Sequence, residues 1–121
     1  MVKKILICDD SLLIRRQLKQ FFHYNWKEFE IIEAINGKEA VELYQLEKPF
    51  LVFMDIVMPE MDGVSSLKEI CQIDSEAKII VLSSVGNRET LREAIDAGAI
   101  DFIQKPWTDE VMNKIIKTYC S

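Results

Sequence analysis

The sequence predicts an α/β protein, a doubly wound five-stranded parallel sheet with helices on both faces. Short apolar segments alternate with amphipathic segments five times along 121 residues, which is the βα pattern of such a sheet. Three of the apolar segments are continuous, as expected of strands that are buried on both faces. The length is that of one domain, so we expect residues 1–121 to form a single domain.

The predicted strands differ in their position within the sheet. The continuous apolar segments are residues 5–8, 50–54 and 79–82, and we expect them in its buried part. Residues 29–34 mix isoleucine with glutamate, and residues 101–104 are polar at both ends. Both patterns favour strands near the edges.

Five helices should follow the strands. Ser11, Asn36 and Thr108 each precede an amphipathic segment and can cap a helix. The third helix should begin near Gly63, and the fourth should cover residues 89–97, where a glycine ends it. Four apolar residues should form the buried side of the last helix: Val111, Met112, Ile115 and Ile116.

The charge and composition exclude several classes of protein. The net charge of −5 argues against a protein that binds the nucleic-acid backbone, which requires a basic face. No apolar segment approaches the length of about 18 residues that a membrane span needs. Asp9 and Asp10 interrupt the first apolar segment too early for a secretory signal.

Cysteine and histidine usage indicates a reduced protein without a zinc site. The three cysteines, Cys8, Cys71 and Cys120, are an odd number and widely separated, so they do not form a disulfide framework. With a single histidine and no Cys-x-x-Cys pair, zinc coordination is not expected. We expect a cytoplasmic protein.

Polar residues follow four of the five predicted strands. Asp9 and Asp10 follow the first, Asp55 the third and Ser83 the fourth, while Lys105 ends the fifth. Because the carboxyl ends of parallel strands meet at one edge, where ligands of open α/β sheets bind, we expect these side chains to form a site. Each alone also fits a solvated turn or a helix cap, but together they carry complementary chemistry.

The chemistry of these side chains indicates a hard cation and phosphoryl transfer. Three neighbouring carboxylates repel one another unless a cation joins them, and a set of oxygen ligands suits Mg²⁺. Three carboxylates and Lys105 sum to −2, which Mg²⁺ would balance. A carboxylate can attack phosphorus to form an aspartyl phosphate, and Asp55 is the expected nucleophile.

At these residues the sequence resembles the receiver domain of two-component response regulators, most closely the CheY-like, single-domain chemotaxis type. The matching segments are residues 5–11, 34–40, 54–63, 81–84, 97–99 and 105–106. The most specific of them reads Met-Asp-x-x-Met-Pro-x-Met-Asp-Gly over residues 54–63. The resemblance implies the flavodoxin-like strand order 2-1-3-4-5, for which CheY itself is a standard example.

The resemblance also implies a role for each site residue. Asp55 would be the phosphoacceptor. Asp10 and Asp55 would bind Mg²⁺ directly, together with the backbone carbonyl of Val57, whereas Asp9 would act through water. Ser83 would hydrogen-bond the phosphoryl group.

The resemblance also implies that residues in and just after the fifth strand act as a switch. Lys105 would form an ion pair with the phosphoryl group, and the bond between Lys105 and Pro106 would be cis. Phe102 stands where the family has an aromatic switch residue, but it lacks the hydroxyl of the commoner tyrosine, so its inward and outward states would differ by burial alone.

The valines at two positions suggest a long-lived phosphorylated state. Val57 and Val85 are apolar where several relatives have polar side chains, and both should flank the phosphoryl group. We therefore expect slow self-dephosphorylation unless a phosphatase supplies a polar group. In this interpretation the chain is a switch, not an enzyme, beyond supporting its own phosphotransfer.

The implied partners are a histidine kinase as phosphodonor and a downstream target. His23 is expected to be a partly exposed residue without a role, so the donor histidine belongs to another protein. The target would bind the face around Phe102, Ile103 and Trp107, although Trp107 also fits a packing anchor. We expect a monomer that binds neither nucleic acid nor membranes.

Three alternatives remain at this point. The chain could be a receiver domain cut from a longer response regulator with an output domain. It could be a haloacid-dehalogenase-like phosphatase, although that class has its nucleophile after the first strand in an Asp-x-Asp pattern, whereas Asp9 and Asp10 are adjacent. It could also be an unphosphorylated interaction scaffold, a type that normally loses part of the acidic cluster.

Overall fold

The computed structural model describes residues 2–58 and 61–120. In this part of the chain five strands and five helices alternate, as predicted. The strands are β1 (Lys4–Cys8), β2 (Glu30–Ala34), β3 (Leu51–Asp55), β4 (Ile79–Ser83) and β5 (Asp101–Gln104). The helices are α1 (Leu12–Asn25), α2 (Gly37–Glu47), α3 (Gly63–Ile73), α4 (Arg88–Ala97) and α5 (Asp109–Cys120). None of the described helices is long and apolar enough to cross a membrane.

The strands form one parallel sheet in the order β2-β1-β3-β4-β5, which confirms the order that the resemblance implied. Every residue of β3 and β4 is buried, whereas β2 and β5 are partly exposed. The continuous apolar segments therefore occupy the interior of the sheet, because helices cover both of its faces. The mixed segments lie at its edges, as predicted.

The two faces of the sheet have separate hydrophobic cores. Leu6, Val52 and Val81 point to one face, where residues of α2, α3 and α4 pack on them. On the other face, β-strand residues pack against α1 and α5, including Phe22 and Met112. Asp9, Asp55 and Ser83 are buried polar residues at the carboxyl ends of the strands, where they can form a site.

Side-chain caps begin most of the helices. Ser11 Oγ accepts a hydrogen bond from the amide of Ile14 at 3.3 Å. Asn36 Oδ1 accepts one from Glu39 at 2.8 Å, and Thr108 Oγ1 accepts one from Val111 at 3.2 Å. The three capping residues predicted from the sequence are confirmed.

Two local predictions were wrong. Helix α4 begins at Arg88 rather than at residue 89, and its N-cap residue Asn87 caps no helical amide, because its side chain accepts a hydrogen bond from the amide of Ser84 at 3.0 Å instead. Val111 is 45% exposed and does not belong to the buried side of α5. The buried stripe of α5 starts at the next residue, Met112, and continues at Ile116, and one residue along a helix turns the side chain by about 100°, which directs Val111 away from that stripe.

Asp55 and Ser83 are the last residues of their strands, whereas the sequence analysis placed them just beyond. In the sheet register Asp55 is opposite Leu82, and Ser83 is opposite Gln104. The main chain of both residues is therefore held by neighbouring strands, which gives their side chains a rigid support.

The start of α3 lies directly against the end of β3. A Cβ atom on Gly63 would overlap the main-chain oxygen of Asp55, so only glycine allows this approach. We expect Gly63→Ala to lower the free energy of unfolding by roughly 1–3 kcal/mol, because backbone rather than a flexible side chain must move.

Urea denaturation measures this effect, with Ser65→Ala as the control in the same helical turn. Ser65 is exposed, so its substitution should change stability by less than about 0.5 kcal/mol. Equal stability of the two variants would contradict the close packing of α3 against β3.

Candidate functional site

Three carboxylates meet at the carboxyl edge of the sheet. One oxygen atom from each of Asp9, Asp10 and Asp55 lies within 4.8 Å of the others. Asp9 is completely buried, Asp55 is 7% exposed, and Asp10 is exposed. The structure thus brings together the acidic residues that the sequence analysis selected.

Both carboxylate oxygens of Asp9 are engaged by other groups of the protein. Oδ1 accepts a hydrogen bond from the amide of Ser11 at 2.9 Å, and Oδ2 accepts one from Lys105 Nζ at 2.8 Å. The amide of Asp9 donates to the carbonyl of Ala34 at 3.2 Å. Asp9 is therefore held in place through its main chain and through both carboxylate oxygens.

Lys105 connects two of the carboxylates. Its Nζ atom lies 2.8 Å from Asp9 Oδ2 and 3.5 Å from Asp55 Oδ2. Its amide donates to the carbonyl of Ser83 at 2.7 Å, which fixes the end of β5 against β4. The peptide bond between Lys105 and Pro106 is cis, as the resemblance implied.

Asp55 is the least neutralised of the buried carboxylates. Burial raises its pKa from 3.8 to about 6, and the negative charge of Asp9 adds to this effect, while Lys105 and the amide of Val57 act in the opposite direction. The Val57 amide donates to Asp55 Oδ1 at 3.2 Å. One ammonium group does not fully compensate the buried negative charge.

This donor set fits a hard divalent cation such as Mg²⁺. The three clustered ligand groups are carboxylates, which suit Mg²⁺ better than soft metals. A cation would also reduce the repulsion that raises the pKa of Asp55. The acidic pocket that the sequence analysis predicted is therefore chemically suited to the ion.

Ser83 and the valines lie where the strand ends predict them. Ser83 is buried, and its hydroxyl donates only a long hydrogen bond, 3.4 Å, to the carbonyl of Ser84. Val57 is 55% exposed and Val85 is 81% exposed. These two side chains belong to the loops that follow β3 and β4, and they are accessible to a partner or to water.

The residues proposed for target binding do not all reach the surface. Phe102 is 45% exposed on the edge strand β5, so its ring is directed outward. Trp107 is half-buried and packs against the core under α1 and α5. Ile103 is only 1% exposed, so its assignment to the binding face was wrong: side chains alternate along a strand, and Ile103 points to the core when Phe102 points out.

Sequence reasoning missed Arg15, whose guanidinium contacts the main chain of the acidic cluster. Its Nη1 donates to the carbonyl oxygen of Asp9 at 2.8 Å. The signal in the sequence was weak, because one arginine in an amphipathic helix is normally read as a solvated surface residue.

The raised pKa of Asp55 predicts how the stability of the metal-free protein depends on pH. The folded protein binds the Asp55 proton more tightly than the unfolded chain, so the contribution of Asp55 to stability falls as pH rises from 3.8 through about 6. Above that range, Asp55→Asn should stabilise the metal-free protein by roughly 3 kcal/mol, because it removes the uncompensated charge.

Chemical denaturation of both proteins in a chelating buffer tests this expectation. The difference should shrink as pH falls toward 3.8, since the wild-type carboxyl is then protonated. A variant that is less stable than the wild type above the titration range would contradict it.

Comparison with known proteins identifies the family. The model of the response regulator receiver domain matches residues 5–117. The chemotaxis protein CheY of Bacillus subtilis is 48% identical over 120 residues, which cover 98% of both chains. The CheY of Thermotoga maritima is 47% identical over 122 residues, covering 97% of this chain and all of that protein.

A solved structure agrees in fold and sequence. A chain of the CheX–CheY–BeF₃–Mg²⁺ complex from Borrelia burgdorferi superimposes with a TM-score of 0.85 and 33% identity, covering 98% of this chain and 90% of that chain. The sheet order, the acidic pocket and these similarities lead to one conclusion: the chain belongs to the family of response regulator receiver domains.

Proposed function

We propose that this chain is a chemotaxis-type response regulator that accepts a phosphoryl group on Asp55 and thereby changes its affinity for a target protein. The observation that carries this proposal is the position of Asp55. It ends the central strand β3 in contact with Lys105 and within 4.8 Å of two further carboxylates. Similar proteins over nearly the whole chain are named chemotaxis protein CheY.

The proposed reaction transfers a phosphoryl group to a carboxylate oxygen of Asp55. With a phosphohistidine donor, a P–O bond to Asp55 forms while the P–N bond breaks, and the departing imidazole nitrogen keeps the electron pair and takes up a proton. Asp55 must be ionised to attack, and with a pKa of about 6 it is mostly ionised at neutral pH.

The same residues suggest how Mg²⁺ would be held. We assign direct binding to Asp10, Asp55 and the carbonyl of Val57, and an indirect role through water to Asp9. The contacts of the Asp9 oxygens, 2.9 Å to Ser11 and 2.8 Å to Lys105, are shorter than those of Asp55, 3.2 Å to the Val57 amide and 3.5 Å to Lys105, and this difference supports the division. When bound there, Mg²⁺ would neutralise charge on the phosphoryl oxygens.

Phosphorylation of Asp55 would change the contacts of two polar residues at the ends of the neighbouring strands, Lys105 and Ser83. Lys105 is shared between Asp9 and Asp55, so a phosphoryl group on Asp55 would attract its ammonium more strongly than the carboxylate does. The hydroxyl of Ser83 makes only a 3.4 Å hydrogen bond and is free to bind the new oxygens. We assign both residues to the switch.

The outward ring of Phe102 supports a role in signalling to the target. At 45% exposure it has apolar surface to bury, and an inward state would gain stability from burial alone. Phosphorylation would then shift the population between the two states. We propose that the target binds the surface near Phe102 and Trp107.

The phosphodonor is proposed to be a histidine kinase. His23 of this chain is exposed in the last turn of α1, next to Tyr24. Helix α1 begins beside the acidic cluster and extends away from it for 14 residues, or about 20 Å. His23 is thus remote from Asp55, which supports a donor from another protein. We further propose that the chain is a cytoplasmic monomer and that a phosphatase acts on it.

The comparisons do not favour the alternatives considered from the sequence, whether a receiver of a longer regulator or a haloacid-dehalogenase-like phosphatase. An interaction scaffold that is not phosphorylated is less consistent with the intact acidic cluster.

Small phosphodonors test the phosphoacceptor directly. Incubation with acetyl phosphate or phosphoramidate and Mg²⁺ should add one phosphoryl group per chain, measured by intact-protein mass spectrometry. Asp55→Asn and a chelator should each abolish the label. Asp62→Asn is the matched control and should be labelled normally, because Asp62 is an exposed cap of α3. Hydrolysis of the phosphodonor without a stable label on the protein would support a phosphatase. The absence of both donor hydrolysis and a label would support a scaffold.

The exposed valine beside Asp55 predicts a slow loss of the phosphoryl group. Val57→Asn should accelerate dephosphorylation roughly tenfold, because the amide can orient a water molecule that the valine cannot bind. The measurement is the decay of the phosphorylated protein after removal of the donor. Leu46→Asn, at an even more exposed position on α2, should leave the rate unchanged. Loss of label from the wild type within seconds, and no slower than in Val57→Asn, would contradict the prediction.

A further inference from the structure

The Asp10 carboxylate lacks the support that fixes its neighbours. Asp9 is held through both of its oxygens, and Asp55 contacts Lys105 and the Val57 amide. In the described part of the chain, Asp10 is exposed and its side chain has no hydrogen bond or ion pair. Its position in the cluster therefore depends on the backbone that carries it.

Arg15 holds the backbone at Asp9 and Asp10 through a hydrogen bond. Its Nη1 atom donates to the carbonyl oxygen of Asp9 at 2.8 Å, and this oxygen belongs to the peptide group that joins Asp9 to Asp10. The direction of this carbonyl sets the plane of the peptide, which includes the nitrogen and Cα of Asp10, and thus limits where the side chain of Asp10 can point. The hydrogen bond from Ser11 to Asp9 Oδ1 fixes the following turn.

Glu33 fixes the guanidinium in turn. Glu33 Oε1 accepts a hydrogen bond from Arg15 Nε at 3.1 Å, and Glu33 Oε2 lies 3.2 Å from Lys19 Nζ. The Arg15 side chain is only 12% exposed, so solvent competes little for these contacts. The planar guanidinium bridges the carbonyl of Asp9, just after β1, and the carboxylate of Glu33 on β2, which a lysine ammonium could not do with the same geometry.

We propose that Arg15, oriented by Glu33, is a positioning residue that holds the Asp9–Asp10 peptide so that Asp10 can join Asp55 in binding the cation. The inference rests on the proposed Mg²⁺ site and adds the support behind it. Removal of groups that orient metal ligands typically weakens metal affinity by about 10- to 100-fold.

The direction in which Mg²⁺ affinity changes when Arg15 is removed distinguishes a positioning role from a purely electrostatic one. Arg15 is positively charged and lies beside a cation site, so its removal should strengthen Mg²⁺ binding if charge alone mattered. If Arg15 positions Asp10, its removal should weaken binding in spite of the more favourable charge.

The experiment is an NMR titration of the protein with MgCl₂ that follows the amides of Asp10, Val57 and Lys105. Arg15→Met should weaken Mg²⁺ binding about tenfold or more and should shift the Asp10 and Ser11 amides already in the metal-free protein. Arg16→Met is the charge-matched control. Arg16 is the exposed neighbour on α1 and has no hydrogen bond or ion pair in the described part of the chain, so this variant should bind Mg²⁺ with the affinity of the wild type.

Variants of Glu33 test the same positioning role if Arg15→Met does not fold. Glu33→Gln keeps an oxygen acceptor for Arg15 and should bind Mg²⁺ within about twofold of the wild type, whereas Glu33→Ala should bind clearly more weakly. A folded Arg15→Met protein, or Glu33→Ala protein, with unchanged or tighter Mg²⁺ binding would overturn the proposal. Absence of Mg²⁺ binding by the wild type would instead refute the proposed metal site itself, so the two failures are distinguishable.

Discussion

The Asp9 carboxylate is completely buried, and a buried charge is stable only when hydrogen-bonding and charged partners satisfy it. Lys105 supplies the counter-charge at 2.8 Å, and the amide of Ser11 supplies the second hydrogen bond. This requirement brings the end of β5 and the start of α1 to the end of β1. The geometry of the whole acidic pocket depends on it.

Asp55 differs from Asp9 in how completely its charge is compensated. Lys105 is shared, lying nearer to Asp9 than to Asp55, so Asp55 keeps a raised pKa and one weakly engaged oxygen. Among the described residues every buried polar side-chain atom has a hydrogen-bond partner. The raised pKa of Asp55 therefore comes from burial and from the negative charge of Asp9, and not from a missing hydrogen bond. A cation or a phosphoryl group bound by Lys105 would remove this imbalance.

The support for the pocket extends well beyond the acidic residues. Gly63 allows α3 to begin against the carbonyl of Asp55, and Arg15 with Glu33 links the Asp9 carbonyl to the edge strand. Helices and strands thus hold the acidic groups, while the side chains of Val57, Val85 and Phe102 are exposed. A rigid acidic pocket bordered by exposed side chains is suited to a switch, because a change of charge within the pocket can alter the surface next to it.

The sequence by itself determined the fold class, the order of elements, the helix caps at Ser11, Asn36 and Thr108, and the acidic pocket. These follow from periodicity and from residue types at strand ends, which are local properties. Only the tertiary structure decided that Ile103 is buried, that Asn87 holds a loop amide, and that Arg15 supports Asp9. The burial of Ile103 and the contact of Arg15 with Glu33 depend on residues that are distant in the chain, and Arg15 finds Glu33 only because β2 pairs with β1 in the folded sheet. Asn87 contacts a residue only three positions away, but its residue type alone does not distinguish the amide of Ser84 from a helical amide as the donor.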